Sequence, residues 1–528
     1  MKTFVRLLTL LLACLMLVMT VVACDDEPDG PVGSEAVVDE FGREGDDLPA
    51  LNYQNDEISV LNWNTFHLEF DIEQITSDNV SNALYDRNSE IERRLNVSLK
   101  FTTEDGDVKH MKQFVEAVDT VKRGGTHEFD IIASYSRTEG MLAIQGYLVD
   151  LKKIDGSMIN LAKPYWPDNV ISTVSIADSM YFISGDISPN VLYQMQVLYF
   201  NKTMLNTYWN NHAMEKNFAG VKDENGKEEV SPAAQMIYEW AYSNNANIGT
   251  WTLDKLIMLT SGSPDGNGNV YQDDGDGVKD YEDTFGFNST AYQIDSFYTG
   301  SNLRLIEHVA KDAGVLKVSD DYGSFKTVNL VSKLGDWYKN SYAYADDNPG
   351  DTGNWYKPFE NGKSMFVACR AESAAGLQKK DWDYGVMPVP KYDEKQANYY
   401  TCMGNPFSLY GIFTDLDNRG DRAATLIQMT AILECWASET YRLVTPEVFE
   451  VNMQLKYADT QYETDMFEIV RSSVVFDLGR IFANDMMYMS ELPSRAAVYG
   501  ASWASTYGAY KNSLNTKLEK IVDKLVVT

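Results

Sequence analysis

The order of apolar and polar positions in the first part of the folded chain predicts alternating strands and helices. Alternating or continuous apolar residues predict strands at 58–63, 97–101 and 129–133. Apolar residues spaced three or four apart predict helices at 80–96 and 111–123. A β-α-β-α-β order is typical of a parallel sheet covered by helices, so the sequence predicts an α/β lobe.

The ends of these strands supply the first candidate ligand-binding residues. In sheets of this kind, ligands lie beyond the carboxyl ends of the strands. Asn64 follows the first predicted strand and Tyr135 follows the third. Trp63 belongs to the alternation of the strand itself, so we expect it in the core. The sequence therefore predicts that Asn64 and Tyr135 face a ligand.

Further along the chain, short segments follow one another in a recognisable order. They are VLYFNK at 197–202, FENGKSMF at 359–366, DYGVMPVP at 383–390, KYAD at 456–459 and FDLG at 476–479. Together they resemble the extracellular solute-binding proteins of bacterial ABC importers, in the carbohydrate-type family 1 that includes maltose-binding protein. The aspartate-rich stretch ahead of Thr284-Phe285-Gly286 is similar to the lipoprotein subgroup of that family. The resemblance covers residues 55–490.

This resemblance implies a type II periplasmic-binding-protein-like fold, in which two α/β lobes close on a ligand about a hinge. By analogy, residues 51–190 and 401–435 form lobe 1, residues 191–400 form lobe 2, and residues 436–528 form helices that pack on both lobes. It also implies a monomeric receptor without enzymatic activity. Such a receptor captures a carbohydrate, in particular an oligosaccharide, and delivers it to the permease subunits of an importer.

Candidate sugar-binding residues in lobe 2 surround the strand at 365–369. Sugar recognition needs aromatic faces that stack on pyranose rings and charged groups that hydrogen bond to hydroxyls. Arg370 and Glu372 follow this strand, where the resemblance to maltose-binding protein places a cleft segment. Trp355 precedes it and could stack on a sugar. The alternatives are a surface ion pair for Arg370 and Glu372, and a core position for Trp355.

The stretch 272–283, QDDGDGVKDYED, has the ligand spacing of a calcium loop. Gly277 then takes position six of the twelve-residue loop. Two positions depart from the usual pattern: position one is Gln272, a neutral amide, and position twelve is Asp283, a shorter carboxylate than the usual glutamate. A competing register through Asp265 has Val270 at the glycine position, and a solvated acidic loop without metal is the other alternative. The spacing favours structural Ca²⁺, with these predicted ligands: Gln272, Asp274, Asp276, the Val278 carbonyl, Asp280 and Asp283.

The N-terminus has the pattern of a lipoprotein signal. Two basic residues precede an uncharged apolar run at 7–23, and VVAC at 21–24 resembles the bacterial lipobox. We therefore expect a cleaved signal peptide (1–23), lipid on Cys24, and anchoring to the outer face of the bacterial cytoplasmic membrane. An uncleaved transmembrane span is the alternative. Residues 24–50 are acidic and rich in glycine and proline, which predicts a disordered tether.

Composition narrows the set of partners. The 528-residue chain has a net charge of −32, which disfavours nucleic acid and anionic membrane surfaces, so membrane contact is expected through the lipid alone. Cys369, Cys402 and Cys435 are widely spaced, which predicts buried free thiols. Two other classes stay open: a surface glycan-binding lipoprotein without a transporter, and a secreted acidic glycoside hydrolase, which needs two nearby carboxylates. The sequence does not specify the sugar.

Overall fold

Two separate sheets flanked by helices confirm the predicted α/β class. The strands are β1 (Asp56–Trp63), β2 (Val97–Glu104), β3 (Ile131–Tyr135), β4 (Gln196–Asn201), β5 (Val221–Lys222), β6 (Glu228–Val230), β7 (Phe285–Ser289), β8 (Ile306–His308), β9 (Leu316–Val318), β10 (Ala343–Ala345), β11 (Ser364–Arg370), β12 (Tyr384–Met387), β13 (Thr401–Cys402), β14 (Ser408–Ile412) and β15 (Val474–Val475). The α-helices are α1 (Asn79–Leu95), α2 (Met111–Gly124), α3 (Ser136–Ile144), α4 (Asp168–Val174), α5 (Asn190–Tyr193), α6 (Lys202–Asn211), α7 (Pro232–Ala241), α8 (Leu253–Ser261), α9 (Asp295–Gly300), α10 (Phe325–Lys339), α11 (Lys357–Glu360), α12 (Ala374–Leu377), α13 (Arg422–Glu439), α14 (Gln461–Ser472), α15 (Leu478–Ile481), α16 (Leu492–Val498) and α17 (Trp503–Val526). This computed structural model describes residues 42–64, 69–70, 72, 78–211, 217–242, 249–261, 270–290, 293–309, 315–340, 343–345, 354–416 and 419–526.

Lobe 1 is built on a four-stranded sheet in the order β2-β1-β3-β14. β1, β2 and β3 are parallel, as predicted, and β14 joins β3 in the antiparallel sense from a distant part of the sequence. Every residue of β3 is buried, which agrees with a strand covered on both faces. The connecting helices α1 and α2 end in left-handed caps at Asn96 and Gly125, which return the chain to the sheet.

Lobe 2 is built on a five-stranded sheet in the order β10-β7-β11-β4-β12. Phe200, Phe366 and Phe287 are direct neighbours across β4, β11 and β7, so their rings form one aromatic row. The Phe287 ring lies 4.4 Å from Trp337 of α10, and the Phe200 ring lies 5.6 Å from Tyr238 of α7, measured between centroids. Burial of these large rings fixes α7 and α10 on the sheet.

Three chain segments run side by side where the two sheets meet, and we call them the junction segments: residues 184–195, 401–407 and 473–477. In the second and third of these, β13 pairs with β15 in the parallel sense. The first and second are joined by the Gly404 N–H, which donates to the Gln194 carbonyl at 2.7 Å. Short segments of this kind between two compact sheets are the places where a hinge motion is absorbed.

The N-terminal arm, residues 42–50, packs on lobe 1, whereas the sequence predicts a disordered tether there. The buried Asp46 carboxylate accepts two hydrogen bonds from the Arg94 guanidinium, both at 2.7 Å. The many acids of this segment predict disorder when the sequence is read alone. In the fold, Arg94 neutralises the charge of Asp46, and this contact orders the arm. The rest of the predicted tether (24–41) and the predicted signal peptide (1–23) lie outside the described residues.

The chain after residue 436 contacts both sheets. Two π-helical segments, at Thr440–Val444 and Glu447–Lys456, connect α13, which packs on α1, to α14, which packs on β12. No helix in the described part of the chain combines the length and the apolar character of a membrane span. The C-terminal helix α17 buries the apolar face expected from its periodicity, made of Leu514, Leu518, Ile521 and Leu525.

Candidate functional site

The two sheets present strand ends to each other at the junction, and we call these ends the cleft edges. In lobe 1, Ser408 at the amino end of β14 pairs with Tyr135 at the carboxyl end of β3. In lobe 2, Arg370 at the carboxyl end of β11 pairs with Gln196 at the amino end of β4. Both edges are therefore of the kind that binds ligands in α/β proteins.

The second junction segment ties the two cleft edges together. A Cβ atom placed on Gly404 would lie 3.1 Å from Arg370 Cδ, so the segment touches the lobe 2 edge there. One residue further, the Asn405 carbonyl accepts a hydrogen bond from Ser136 Oγ of lobe 1 at 2.7 Å. Adjacent residues of one junction segment therefore touch both cleft edges, which brings the Arg370 end of lobe 2 close to the Ser136 end of lobe 1.

Arg370 and Glu372 form an ion pair at the lobe 2 edge, with Nη2 and Oε1 3.0 Å apart. The Gln194 amide completes the group, since its Oε1 accepts from Arg370 Nη1 at 2.9 Å and its Nε2 donates to Glu372 Oε2 at 3.3 Å. Gln194 is buried, whereas the two charged side chains are 31% and 32% exposed. The protein thus fixes the pair from behind and leaves both side chains partly accessible from the cleft.

Tyr135 lies at the lobe 1 edge but exposes 3% of its surface. Its ring stacks on Trp63 with 5.3 Å between centroids, and the indole N–H of Trp63 donates to Ser408 Oγ at 2.9 Å. Trp63 is buried, so its predicted core position is confirmed. Burial also raises the pKa of Tyr135, which keeps the phenol neutral.

Asn64 lies beside the central strand β1 of lobe 1, and Trp355 contacts β7 of lobe 2. Asn64 follows β1, is exposed, and donates its side-chain amide to the carboxylate of Asp105, just beyond the carboxyl end of β2. Trp355 is partly buried, and its carbonyl accepts from the side chain of Asn288 near the carboxyl end of β7. Four of the five predicted ligand residues therefore lie at or just beyond strand ends, with Arg370 and Glu372 in direct contact, and Trp355 reaches β7 through its carbonyl.

A charged group that sequence reasoning missed lies beside Tyr135. Arg137, in the first turn of α3, is buried, and its Nη2 lies 3.1 Å from Glu491 Oε1. Its guanidinium carbon lies 5.3 Å from the centroid of the Tyr488 ring, a cation–π distance. Met487 and Tyr488 both have left-handed backbones, with φ of 55° and 52°. Bulky residues hold this conformation where the surroundings demand it, often at ligand sites.

Arg480 and Asp295 extend this network into lobe 2. Arg480 Nη1 donates to Asp295 Oδ2 at the start of α9, and both side chains are buried. Burial raises the pKa of the Asp295 carboxyl to about 6, although the positive charge of Arg480 opposes that shift. Arg137 and Glu491 act electrostatically on the same carboxyl, which places all four groups close together. Arg137 lies two residues after Tyr135, so the rule that ligand-binding residues follow the carboxyl ends of strands could have identified it from the sequence. Nothing in the local sequence identifies Glu491, Arg480 or Asp295 as its neighbours.

Several buried polar atoms near the cleft edges lack a hydrogen-bond partner among the residues that the structure describes. Buried polar groups are nearly always paired, and an unpaired one costs about 1–3 kcal/mol. A polar ligand held between the lobes would satisfy these atoms, and most of them accept hydrogen bonds, so a donor-rich ligand fits best. They are Arg137 Nε, Gln196 Oε1, Asp295 Oδ1 and Asn405 Oδ1.

The aspartate-rich loop folds around Asp283, away from the cleft edges. Asp283 is 1% exposed, and its carboxylate accepts from the backbone N–H groups of Asp274 at 3.0 Å and Asp280 at 3.3 Å. Gln272 and Thr284 exchange two backbone hydrogen bonds, which tie the ends of the loop together. The loop is therefore closed by its own side chains and backbone.

An exposed carboxylate cluster in this loop has the donor chemistry for a hard cation. Oxygen atoms of Asp273, Asp274 and Asp276 lie within 4.8 Å of one another. This cluster includes Asp273, which is not in the predicted ligand set, while Asp283 is engaged by backbone N–H groups. Gly277 has a φ of 77°, the conformation that requires glycine at the turn. An all-oxygen set suits Ca²⁺.

No family model and no curated protein matches the sequence. Among solved structures, the chain is similar to the galacto-N-biose-/lacto-N-biose I-binding protein of the ABC transporter from Bifidobacterium longum in complex with lacto-N-biose, with 9% identity, a TM-score of 0.51, and coverage of 89% of this chain and 98% of that one. It is also similar to a cyclo/maltodextrin-binding protein complexed with maltotetraose, with 11% identity, a TM-score of 0.51, and coverage of 89% and 97%. These likenesses confirm the predicted two-lobed fold.

Proposed function

We propose that this chain, which shares the two-lobed fold of sugar-binding proteins, is the substrate-binding protein of an ABC importer. It captures a carbohydrate, in particular an oligosaccharide, between its lobes and delivers it to the permease. The observation that carries this proposal is the pair of facing cleft edges with buried, unpaired acceptors. Sugar hydroxyls are the donors that such a site needs.

Binding of the sugar would proceed by closure of the lobes about the junction segments. A ligand shifts such an equilibrium only through contacts that are better in the closed arrangement. Arg370 and Glu372 offer those contacts from lobe 2, and Arg137 and Asn405 offer them from the opposite side of the cleft. Each group is already oriented by a protein partner, so little freedom is lost when the sugar binds.

We propose reversible binding without chemical change. Three carboxylates near the cleft edges each face a guanidinium group. Glu372 lies 3.0 Å from Arg370 and Glu491 lies 3.1 Å from Arg137, while Asp295 accepts from Arg480. A glycosidase needs one carboxylic acid free to protonate the leaving oxygen and a second carboxylate free to act as nucleophile or base. Ion-paired carboxylates suit recognition of hydroxyls better than either role.

The location follows from the N-terminal sequence. Lipid on Cys24 would anchor the protein to the outer face of the bacterial cytoplasmic membrane, and the acidic surface would keep the body off anionic headgroups. Residues 24–41 would span at most about 60 Å when fully extended. That reach lets a monomeric receptor meet permease subunits in the same membrane without leaving its anchor.

We also propose that the aspartate-rich loop binds Ca²⁺. Asp273, Asp274 and Asp276 would supply carboxylate oxygens, and the buried Asp283 would hold the loop in shape through its backbone contacts. The ion would act as a structural clip, because the loop precedes the amino end of β7, whereas Asn288 and its contact with Trp355 lie near the opposite end of that strand. Ca²⁺ would neutralise the negative charges of these three carboxylates, which otherwise repel one another.

The function is tested with the purified protein on a glycan array, followed by calorimetry of each hit. Scattering should show a more compact particle when a bound glycan is added, and chromatography should recover that glycan unchanged. Cleavage of the glycan would replace the proposal with the glycosidase alternative. A second assay uses vesicles that carry a permease encoded next to this protein. If the protein binds the glycan but these vesicles do not transport it, a surface glycan-binding lipoprotein would be favoured.

A further inference from the structure

The first turn of α3 lies at the lobe 1 cleft edge and is buried. The chain enters it directly from the carboxyl end of β3, and its residues are each at most 3% exposed: Ser136, Arg137, Thr138 and Glu139. The residue before the helix, Tyr135, makes no side-chain hydrogen bond that caps it. A helix whose first turn is buried needs acceptors for the N–H groups there, because no helical carbonyl precedes them.

Two backbone N–H groups of this turn lack an acceptor among the residues that the structure describes. The Ser136 N–H donates to the Phe407 carbonyl at 2.9 Å. The N–H groups of Arg137 and Thr138 make no hydrogen bond to any described residue. The side-chain atoms Arg137 Nε and Thr138 Oγ1 are buried and likewise unpaired within the described chain. Buried donors in proteins nearly always have an acceptor, so this turn calls for one from outside the described chain.

An unpaired acceptor lies beside these donors. The Asn405 carbonyl accepts from Ser136 Oγ at 2.7 Å, which places Asn405 against the first residue of α3. Its side-chain oxygen, Oδ1, is buried and has no partner among the described residues. The group that completes this site must therefore offer a strong acceptor to the helix and a donor to Asn405.

The charges around the turn are balanced, which disfavours an anionic ligand group. Glu491 matches Arg137, and Asp295 matches Arg480 close by. Burial raises the pKa of Glu139 well above its ordinary value, so this carboxyl carries no charge to offset the partial positive charge of the helix end. A carboxylate or phosphate on the ligand would lie close to Glu491 and Asp295 and would be repelled. A neutral group with a large dipole is favoured instead.

An acetamido group on a sugar has these properties. It is chemically a peptide unit, with a carbonyl that accepts hydrogen bonds and an N–H that donates on the opposite side. Its dipole matches that of the backbone peptide units that cap helices, about 3.5 D. A sugar hydroxyl also donates and accepts, but its dipole is smaller. A sugar that offers only hydroxyls therefore leaves more of the helix end unsatisfied.

We propose that the first turn of α3 binds the acetamido group of an N-acetylhexosamine unit, so that the captured oligosaccharide is N-acetylated. This assignment rests on the proposed function, because it concerns the sugar held between the lobes. The acetamido carbonyl accepts from the backbone N–H groups of Arg137 and Thr138, and the acetamido N–H donates to Asn405 Oδ1. Arg137 Nε and Thr138 Oγ1 then serve neighbouring hydroxyls of the same sugar.

The assignment is tested first on the parent protein, with pairs of sugars that differ only in the acetamido group. Calorimetry compares N,N′-diacetylchitobiose with cellobiose, and N-acetyllactosamine with lactose. In each pair that binds, the N-acetylated sugar should bind about ten- to hundredfold more tightly, since its partner leaves buried groups unpaired. Equal or tighter binding of the sugar without the acetamido group would overturn the subsite. A preference on the glycan array for uronic acids over N-acetylated sugars would overturn it as well.

A second test removes the acceptor for the acetamido N–H. Asn405→Ala should bind the N-acetylated sugar about tenfold or more weakly and should bind its hydroxyl partner almost as the parent does, so the ratio of the two affinities narrows. Asn405→Asp, which keeps an acceptor, should retain most of that ratio. Asn512→Ala, at an exposed position of α17, is the matched control and should keep the ratio of the parent. A loss of affinity for both sugars alike in Asn405→Ala would mean that Asn405 acts only on the fold.

Failure of this assignment is separable from failure of the proposed function. If the protein binds glycans and compacts around them, but those glycans carry no acetamido group, the subsite is wrong and the function stands. If no glycan on the array is bound, the proposed function fails and the subsite fails with it. If N-acetylated glycans bind but are cleaved, the subsite stands and the glycosidase alternative replaces the function.

Discussion

At the residue scale, each arginine at the candidate site is matched by a carboxylate from the same neighbourhood. Pairwise neutralisation makes the site polar without giving it a strong net charge, which suits neutral ligands rich in hydroxyl groups. A partner holds each guanidinium in place, so its remaining N–H groups keep a fixed direction. The pairs are Arg370 with Glu372, Arg137 with Glu491, and Arg480 with Asp295.

Removal of the Arg370 side chain should weaken sugar binding. A hydrogen bond to a charged group contributes roughly 1.5–3 kcal/mol, so Arg370→Ala should raise Kd about ten- to hundredfold. Calorimetry measures this change, and the melting temperature checks the fold. Arg93→Ala is the matched control, since Arg93 has a 70% exposed side chain paired with Glu90 and should bind as the parent does. Equal affinity of both variants would remove Arg370 from the site.

Asp295 should give the folded protein a specific pH dependence. Its folded-state pKa of about 6 lies above its ordinary value of 3.8, so the folded state binds this proton more tightly than the unfolded state. The contribution of Asp295 to the free energy of unfolding should therefore fall as pH rises from about 4 to about 6, by on the order of 1–3 kcal/mol. Denaturant titrations at several pH values measure the slope.

Asp295→Asn should reduce that slope, although it lowers stability at every pH because Arg480 loses its charged partner. Asp168→Asn, at an exposed position, should keep the slope of the parent. A slope in Asp295→Asn identical to that of the parent would show that another group titrates in this range.

At the element scale, two segments with many acids differ in how their charges are compensated. The N-terminal arm is ordered by Arg94, which takes both oxygens of Asp46. The aspartate-rich loop has an exposed cluster of three carboxylates, and its internal hydrogen bonds come from backbone N–H groups. The charge of Asp46 in the N-terminal arm is therefore already compensated by the protein. The aspartate-rich loop would be stabilised more by a bound cation.

Removal of Ca²⁺ should lower the melting temperature of the protein. Binding to the native state alone adds RT ln(1 + [L]/Kd), which is roughly 2.7 kcal/mol at a hundredfold excess over Kd. Calorimetric scans with and without chelator measure the shift. Asp276→Ala should abolish the response to chelator, and Glu282→Ala, at an exposed neighbouring position, should retain it. Scans that coincide for the parent with and without chelator would refute the site, and sugar affinity should change little in either variant.

At the scale of the whole molecule, the junction segments connect the two lobes. In the proposed function, the cleft edges would approach each other when the lobes close on a ligand. The junction segments are short and hydrogen bonded to one another, so they can transmit this motion as a unit. The N-terminal arm packs on lobe 1, so the proposed lipid anchor would be connected to that lobe.

The proposed membrane anchor should depend on a single residue, Cys24. Cys24→Ala removes the thiol that would carry the lipid, so the protein should leave the membrane fraction and appear in the soluble fraction. Fractionation after a high-salt wash measures the distribution. Cys14→Ala, within the preceding apolar run, is the control and should stay with the membrane. Retention of the Cys24→Ala protein on washed membranes would favour the uncleaved span.

The sequence by itself determined the first three strands and the first two helices of lobe 1, although β2 and β3 extend beyond their predicted ends and β3 includes Tyr135. Alternation and helical spacing record which side of each segment is buried, and this is a local property. The family resemblance placed Arg370 and Glu372 at a cleft segment at the end of a buried strand, and the structure finds these two side chains in contact. The widely spaced cysteines are buried free thiols, as their spacing predicts.

Only the tertiary structure decided which charges meet. The chain has 77 acidic residues, and nothing in the spacing of Arg137, Arg480 or Arg94 says which of them each will face. Pairing depends on how the two sheets and the C-terminal helices are arranged in space, over separations of hundreds of residues. For the same reason, the order of the N-terminal arm emerges only when Asp46 meets Arg94 of lobe 1.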